Sequence, residues 1–273
     1  MNAILKYPGS KWNIASRIVD LIPAHHSYVE PFFGSGAVFF SKPPSDIETI
    51  NDLDSDVVNL FRCIRQDAGR LAGIVAAVPY SREEYEYQFI CRYEDADPFD
   101  RAAGFLVRCW QSHGFRANSQ KVGWKTDVVG REKAYALWNW YRLPGWIVGI
   151  AERLRMAQIE NRPALDVIER FDAPGVFQYW DPPYLFGVRA GKQYRHEMTD
   201  ADHEKLLRAA VESKSMVMIS GYESDMYNDY LKDWNKASFK SCAEHGKPRE
   251  EVLWMNYDPP GKQMELDFIH GAG

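Results

Sequence analysis

The sequence predicts an α/β protein with a mostly parallel sheet, interrupted by a mainly helical insert. Three observations predict it. The first 61 residues read strand, glycine turn, helix, strand, acid, helix, which is the βαβ pattern of a parallel sheet. The same alternation resumes after residue 155. Between them, from about Asp67, the alternation is lost and the charge segregates. The chain closes on a loose, turn-rich stretch from about 259.

In order, Ile14, Ile18, Val19 and Ile22 recur at a helical period and Pro23 stops the helix. Ser27–Val29 is a short strand running into Glu30-Pro31-Phe32-Phe33-Gly34-Ser35-Gly36. A helix from Ala37 ends before Pro43-Pro44, and Ile47–Ile50 is a second strand closed by Asn51-Asp52. Asp54 or Ser55 caps the next helix, whose pattern changes at about Asp67. Beyond the insert, 147–155 reads as helix, 156–159 as strand, 164–170 as helix and 176–180 as strand. Residues 185–198 mix glycines and charges and read as a lid. Thr199 caps a helix over 200–212, 216–219 is a central strand, and 252–257 closes the sheet.

Composition sets limits. The 273 residues are 45% hydrophobic, and no apolar run approaches the ~20 residues of a membrane span. Cys63, Cys91, Cys109 and Cys242 form no C-x-x-C pair and read as free thiols of a reducing compartment, without a metal site. His113, His203 and His245 stand alone and read as structural or solvent-facing. The net charge of -5 argues against a general nucleic-acid coat, but the charge is uneven. Residues 82–100 are acidic, whereas 101–142 carry eight basic side chains against Asp127 and Glu132. That window is +6, leaving -11 elsewhere, and it interleaves aromatics such as Trp110, Trp124 and Trp138. Basic residues among aromatics suit a surface that tracks a phosphate backbone. Phe105, Leu106 and Cys109 instead read as a buried helical stripe, whereas Gly114–Gly130 has no period and reads as a functional loop.

The apolar run Val176–Trp180 stops at Asp181-Pro182-Pro183-Tyr184. Each proline fixes its φ and lacks an N–H, so an acid, a bare carbonyl and an aromatic ring are held together at a strand end. In open α/β sheets ligands bind there. A carboxylate and a carbonyl can accept both hydrogens of an exocyclic amine. Upstream, Gly34 and Gly36 let backbone approach a ligand, and Asp52 ends the following strand, where an acid commonly takes ribose hydroxyls. The third glycine of a dinucleotide fingerprint is missing, and Glu30 would repel a pyrophosphate. A nucleoside cofactor bearing a cation, S-adenosylmethionine, fits the pattern better than a nicotinamide dinucleotide.

These motifs together, with Lys6-Tyr7-Pro8-Gly9-Ser10-Lys11, resemble those of the Dam-type (D12 class) DNA adenine-N6 methyltransferases, in the family's order. The resemblance implies a Rossmann-like class I methyltransferase sheet built from 1–61 and 155–273 with a target-recognition insert at 62–154, S-adenosylmethionine as cofactor and double-stranded DNA as partner. It implies cytoplasmic work on bacterial or phage DNA, with a cognate restriction nuclease as a candidate companion and with neither membrane nor metal. It puts catalysis on Asp181, Pro182, Pro183 and Tyr184, the tyrosine stacking on a flipped-out base. Cofactor contacts fall on Tyr7, Lys11, Glu30, Phe32, Gly34, Gly36, Asp52 and Asp181. Tyr7 and Ser10 replace the family's tryptophan and second glycine, and Asn161–Ala164 lacks the acid the family offers to the cofactor's adenine. Arg116, Lys121 and Lys125 from the loop, with Tyr194 from the lid, are the DNA candidates. From residues alone, an RNA-adenine or amide methyltransferase, or an inactive nucleic-acid-binding homologue, stays open beside the DNA enzyme.

Overall fold

The computed structural model describes residues 2–91, 96–118, 120–126, 135–186, 191–242 and 248–260. Seven strands form one sheet in the order β3-β2-β1-β4-β5-β7-β6. These are β1 (Ser27–Glu30), β2 (Ile47–Asn51), β3 (Ala157–Glu160), β4 (Val176–Trp180), β5 (Met216–Gly221), β6 (Asn235–Cys242) and β7 (Pro248–Met255). The first five run parallel, and β7 inserts antiparallel between β5 and β6. This is the Rossmann-like, mostly parallel sheet that the motifs imply. Strand order reverses between β1 and β4, so the crevice at their carboxyl ends is the switch point where ligands bind in such sheets.

Alternation along the strands builds two cores. Phe177 and Tyr179 of β4, Met218 of β5 and Leu253 and Met255 of β7 enter one cluster. Trp180, Val217, Ile219, Val252 and Trp254 enter the other. Successive side chains point to opposite faces, and a sheet covered on both faces requires apolar residues on both.

The helices cover these faces. On the first lie α1 (Ala15–Val19), α2 (Ala37–Ser41), α3 (Ser55–Ala77), α5 (Pro98–Trp110) and α6 (Tyr135–Arg155), with α4 (Arg82–Tyr87) beside α5. On the second lie α7 (Ala164–Arg170), α8 (Asp200–Glu212) and α9 (Asp225–Tyr230). Asp54 caps α3 through the Asp56 amide, and Asp67 leaves the helical region inside it, where the sequence pattern changes. The expected Thr199 cap is a full capping box with Asp202.

The insert differs from a separate lobe. Phe105, Trp110, Leu143 and Ile147 bury in the same cluster as Tyr28 and Phe177 of the sheet. The boundary at 61/62 falls inside α3. α6 begins well before the predicted 147 and carries Pro144 within it. Strand β6 and helix α9 have no counterpart in the expected elements, and the expected strand 252–257 starts earlier, at Pro248. Part of the acidic run (92–95), part of the insert loop (127–134), residues 187–190 of the lid, His245 and most of the tail (261–273) lie outside the described residues.

Candidate active site

β4 ends at the switch point and delivers Asp181 between the ends of β1 and β5. Its carboxylate accepts a hydrogen bond from Lys11 Nζ at 2.8 Å and from Ser220 Oγ at 2.7 Å. Ser220 is the penultimate residue of β5. Lys11 is itself buried and also donates to the Gly9 carbonyl. Burial works against its charge, but Asp181 and Glu251 overcome that and hold the ammonium protonated well above the usual lysine range.

Beside Asp181 lies a cavity of about 330 Å³, lined by residues of all the motifs. The turn after β1 supplies one wall. Gly36 adopts φ 66°, and a Cβ there would stand 2.4 Å from the Phe33 ring, so only glycine closes this turn. The Gly34 amide donates to Asp52 at 2.8 Å, and the Asp54 amide donates to the other Asp52 oxygen at 2.8 Å. Burial pushes the Asp52 carboxyl up to about 7 against these two bonds. Burial likewise pushes Glu30 up to about 8, against the hydrogen bond that Tyr28 donates. Two buried acids in one cavity favour a ligand that brings positive charge.

S-adenosylmethionine meets that description, and the lining fits it. Phe32, Leu53, Leu165 and Leu206 offer apolar walls for a flat base, while Glu30, Asp52 and Asp181 offer acceptors. Pro163 and Ala164 line the cavity where the family offers an acid, and Asp202 of α8 is among the other lining residues.

Several predicted residues take other places. Tyr184 is 8% exposed and does not line the cavity. Its hydroxyl donates to Glu251, Tyr222 packs against its ring with centroids 4.5 Å apart, and Lys11 Nζ lies 4.9 Å from its centroid. These contacts fasten the ring between Tyr222, Lys11 and Glu251. Tyr194, expected on DNA, lines the cavity; its hydroxyl donates to the Pro8 carbonyl and its ring packs on Tyr7. Gly9 makes room for it: a Cβ there would stand 2.5 Å from the Tyr194 hydroxyl. Tyr7 and Lys11 line the cavity as expected.

Arg116 and Lys121 are exposed, Arg116 bonded to Gln120 and Lys121 paired with Glu86 at 3.4 Å. Lys125 is half-buried, and its backbone ties the loop to Gln111 and Tyr80. Phe105, Leu106 and Cys109 are buried as the helical stripe predicts; of the other aromatics in the basic window, Trp110 and Trp140 are core, whereas Trp138 and Tyr141 are exposed. His203 is buried against the Tyr227 hydroxyl, as a structural histidine.

Sequence reading missed four side chains. Glu251 reaches the site from the start of β7, and Ser220 from β5. Arg195 donates to Asp54 at 2.9 Å and Asp56 at 2.6 Å, tying the lid to the start of α3. Asp56 also receives Arg101 and Arg108 of α5. Burial would raise the Asp56 carboxyl, but Arg195 and Arg108 hold it below the usual carboxylate range. The only sequence signal for Asp54 and Asp56 was the cap of α3.

A family model for D12 class N6 adenine-specific DNA methyltransferases matches residues 7–247. The chain belongs to that family. As a D12 methyltransferase it is 26% identical to a type II methyltransferase of Lactococcus lactis subsp. cremoris, over 92% of this chain and 94% of the relative. It is 26% identical to the DNA adenine methylase of Serratia marcescens, over 84% and 86%. It is 33% identical to the DNA adenine methylase of Escherichia coli K12, over 67% and 64%. The D12 chain is thus an N6 adenine-specific DNA methyltransferase. Among its described residues no helix is long and apolar enough to cross a membrane.

Proposed function

We propose that this DNA adenine-N6 methyltransferase holds its cofactor in the cavity beside Asp181 and presents a flipped-out adenine to that carboxylate. The observation that carries this reading is the fixed Asp181 carboxylate, gripped by Lys11 and Ser220 at the rim of a cavity lined with Glu30 and Asp52. S-adenosylmethionine, when bound, supplies a methyl group on a sulfonium, electrophilic enough for direct capture by an amine.

The chain's own residues address the other half of the problem. The adenine N6 lone pair is delocalised into the ring and is a poor nucleophile. Asp181 and the Pro182 carbonyl accept the two N6 hydrogens and draw the nitrogen toward tetrahedral geometry. The Pro182 ring fixes its φ and the following Pro183 restricts its ψ to the extended region, so its carbonyl stays aimed. Asp52 takes the ribose hydroxyls, while Tyr7 and Tyr194 close the cavity over the cofactor. Fixed geometry of this kind is worth up to ~7–11 kcal/mol of barrier in favourable cases.

Residues 62–154 act as the target-recognition segment, with Arg116, Lys121 and Lys125 toward the duplex. The enzyme works on bacterial or phage DNA in the cytoplasm, and the type II name of the Lactococcus relative supports a cognate restriction nuclease as its companion. The test is Asp181→Ala with cofactor binding as control. Methyl transfer to duplex DNA should vanish, while S-adenosylhomocysteine, still met by Glu30 and Asp52, should lose far less in affinity than transfer loses in rate. Transfer within tenfold of wild type would remove Asp181 from the chemistry.

A further inference from the structure

Glu251 belongs to none of the motifs, yet it reaches the reacting centre. β7 runs antiparallel to β5, so its beginning, not its end, lies at the carboxyl edge of the parallel strands. Val252 pairs with Gly221, which places Glu251 just beyond the end of β5. By alternation Glu251 shares a face with Leu253 and Met255, over the core beneath Tyr179. It is 4% exposed, an acid almost wholly removed from water.

Its Oε1 atom receives the Tyr184 hydroxyl and lies 3.4 Å from Lys11 Nζ. The same ammonium lies 2.8 Å from Asp181. One lysine thus serves two carboxylates. With Asp181 alone, Lys11 would form a closed one-to-one pair, and the carboxylate would have little charge left for a substrate amine. Burial pushes the Glu251 carboxyl up, and Lys11 opposes that shift. In its ionised form Glu251 shares the ammonium, the three groups carry one uncompensated negative charge, and Asp181 is the more exposed of the two acids, at 19%.

We propose that Glu251 is a positioning residue of methyl transfer: it holds the Tyr184 hydroxyl and shares Lys11, so that Asp181 keeps its charge for the N6 hydrogens. Glu251 touches no substrate in this scheme; it acts through Lys11 and Tyr184. The inference rests on the assignment of Asp181 above. It also gives Tyr184 a role consistent with its burial, as the strut that fixes the Asp-Pro-Pro turn to β7.

The experiment compares Glu251→Gln, Tyr184→Phe, their double variant and Asp181→Ala on duplex DNA. Active sites are counted by stoichiometric S-adenosylhomocysteine binding. Glu251→Gln keeps the shape and removes the charge. Its kcat per active site should fall about tenfold or more, the scale of a lost hydrogen bond to a charged group. The S-adenosylhomocysteine Kd and the KM for DNA should stay within about threefold. Tyr184→Phe should also lower kcat, and the double variant should lose less than the product of the two single losses, because both act through one interaction.

A purely structural glutamate would lower the melting temperature and the number of sites while leaving kcat per site unchanged, and that result overturns the proposal. If Glu251→Gln does not fold, Tyr184→Phe decides: kcat within threefold of wild type overturns it. Asp181→Ala separates the two readings. An active Asp181→Ala refutes the site itself, whereas an inactive one beside a normal Glu251→Gln refutes only the role of Glu251.

Discussion

Asp52 and Glu30 are where burial and charge pull hardest against each other. Both carboxyls are pushed up, to about 7 and about 8, because the cavity withholds water from them. Both therefore bind protons more tightly folded than unfolded. Their contribution to stability is full below the unfolded values of about 4 and is lost as pH rises through about 7 and 8. A bound cation favours the ionised forms. Calorimetry should therefore show S-adenosylmethionine binding tighter as pH rises from about 6 to about 8, with a smaller gain for S-adenosylhomocysteine, whose sulfur is neutral. Asp52→Ala should weaken both ligands and flatten part of that rise. Equal pH profiles for the two ligands, or an Asp52→Ala variant that binds as wild type, would show that these acids face something other than the sulfonium and the ribose. Asp181, Gly34, Gly36 and Asp52 were legible in the sequence because each sits in a turn whose chemistry is local. Glu251 was not, because it stands in Arg249-Glu250-Glu251, a charged trio that reads as solvated surface, 67 residues from its partner Tyr184.

At the level of elements, the lid and the insert are fastened to the cofactor loop by charge. Arg195 bridges Asp54 and Asp56, and Asp56 also holds Arg101 and Arg108 of α5. The lid meets the insert loop again where the Ala117 amide donates to the Gln193 carbonyl and Asn118 to that of Lys192. Arg195→Ala leaves the buried Asp54 with its cap bond and a long 3.5 Å bond from the Tyr7 hydroxyl, and should cost about 1–3 kcal/mol of stability. Thermal melting should show the loss at neutral pH and a smaller difference in acid, since the ionised Asp56 contributes above its unfolded pKa and that contribution fades as pH falls through its depressed folded value. The cofactor Kd should rise in parallel, because Tyr194, beside Arg195, walls the cavity. Unchanged melting and unchanged affinity would mean the bridge is ornamental. Most strands were readable from their apolar runs, but β6, Asn235–Cys242, alternates lysine and serine with few apolar positions, as an edge strand does, and offered no such run.

Across the whole molecule, charge is unevenly divided along the chain. The window 101–142 carries +6 and the rest -11, and in the proposed reading its exposed basic side chains draw the duplex to this segment. Arg108 and Arg101 are engaged by Asp56, while the exposed Arg116 and Lys121 and the half-buried Lys125 lie on the loop that touches the lid. Replacing these three with alanine should weaken binding to cognate and scrambled duplexes alike and lower the salt slope by about one for each phosphate no longer neutralised. A failure to discriminate at one base position, worth about 1–3 kcal/mol, would instead identify a side chain that reads that base. Equal binding in all conditions would move the DNA surface away from this loop. The sign reversal was visible in the sequence, but the fusion of the insert with the main core was not, because a helical stripe such as Phe105, Leu106 and Cys109 does not say which partner it packs against.

The most direct measurement is to treat unmethylated bacterial genomic DNA with the purified protein and S-adenosylmethionine, and to map modified bases by single-molecule sequencing. The wild-type enzyme should place N6-methyladenine at one short recurring sequence, and Asp181→Ala should place none. Modification on another base or atom, or adenine methylation that persists in Asp181→Ala, would contradict a methyl transfer built on Asp181.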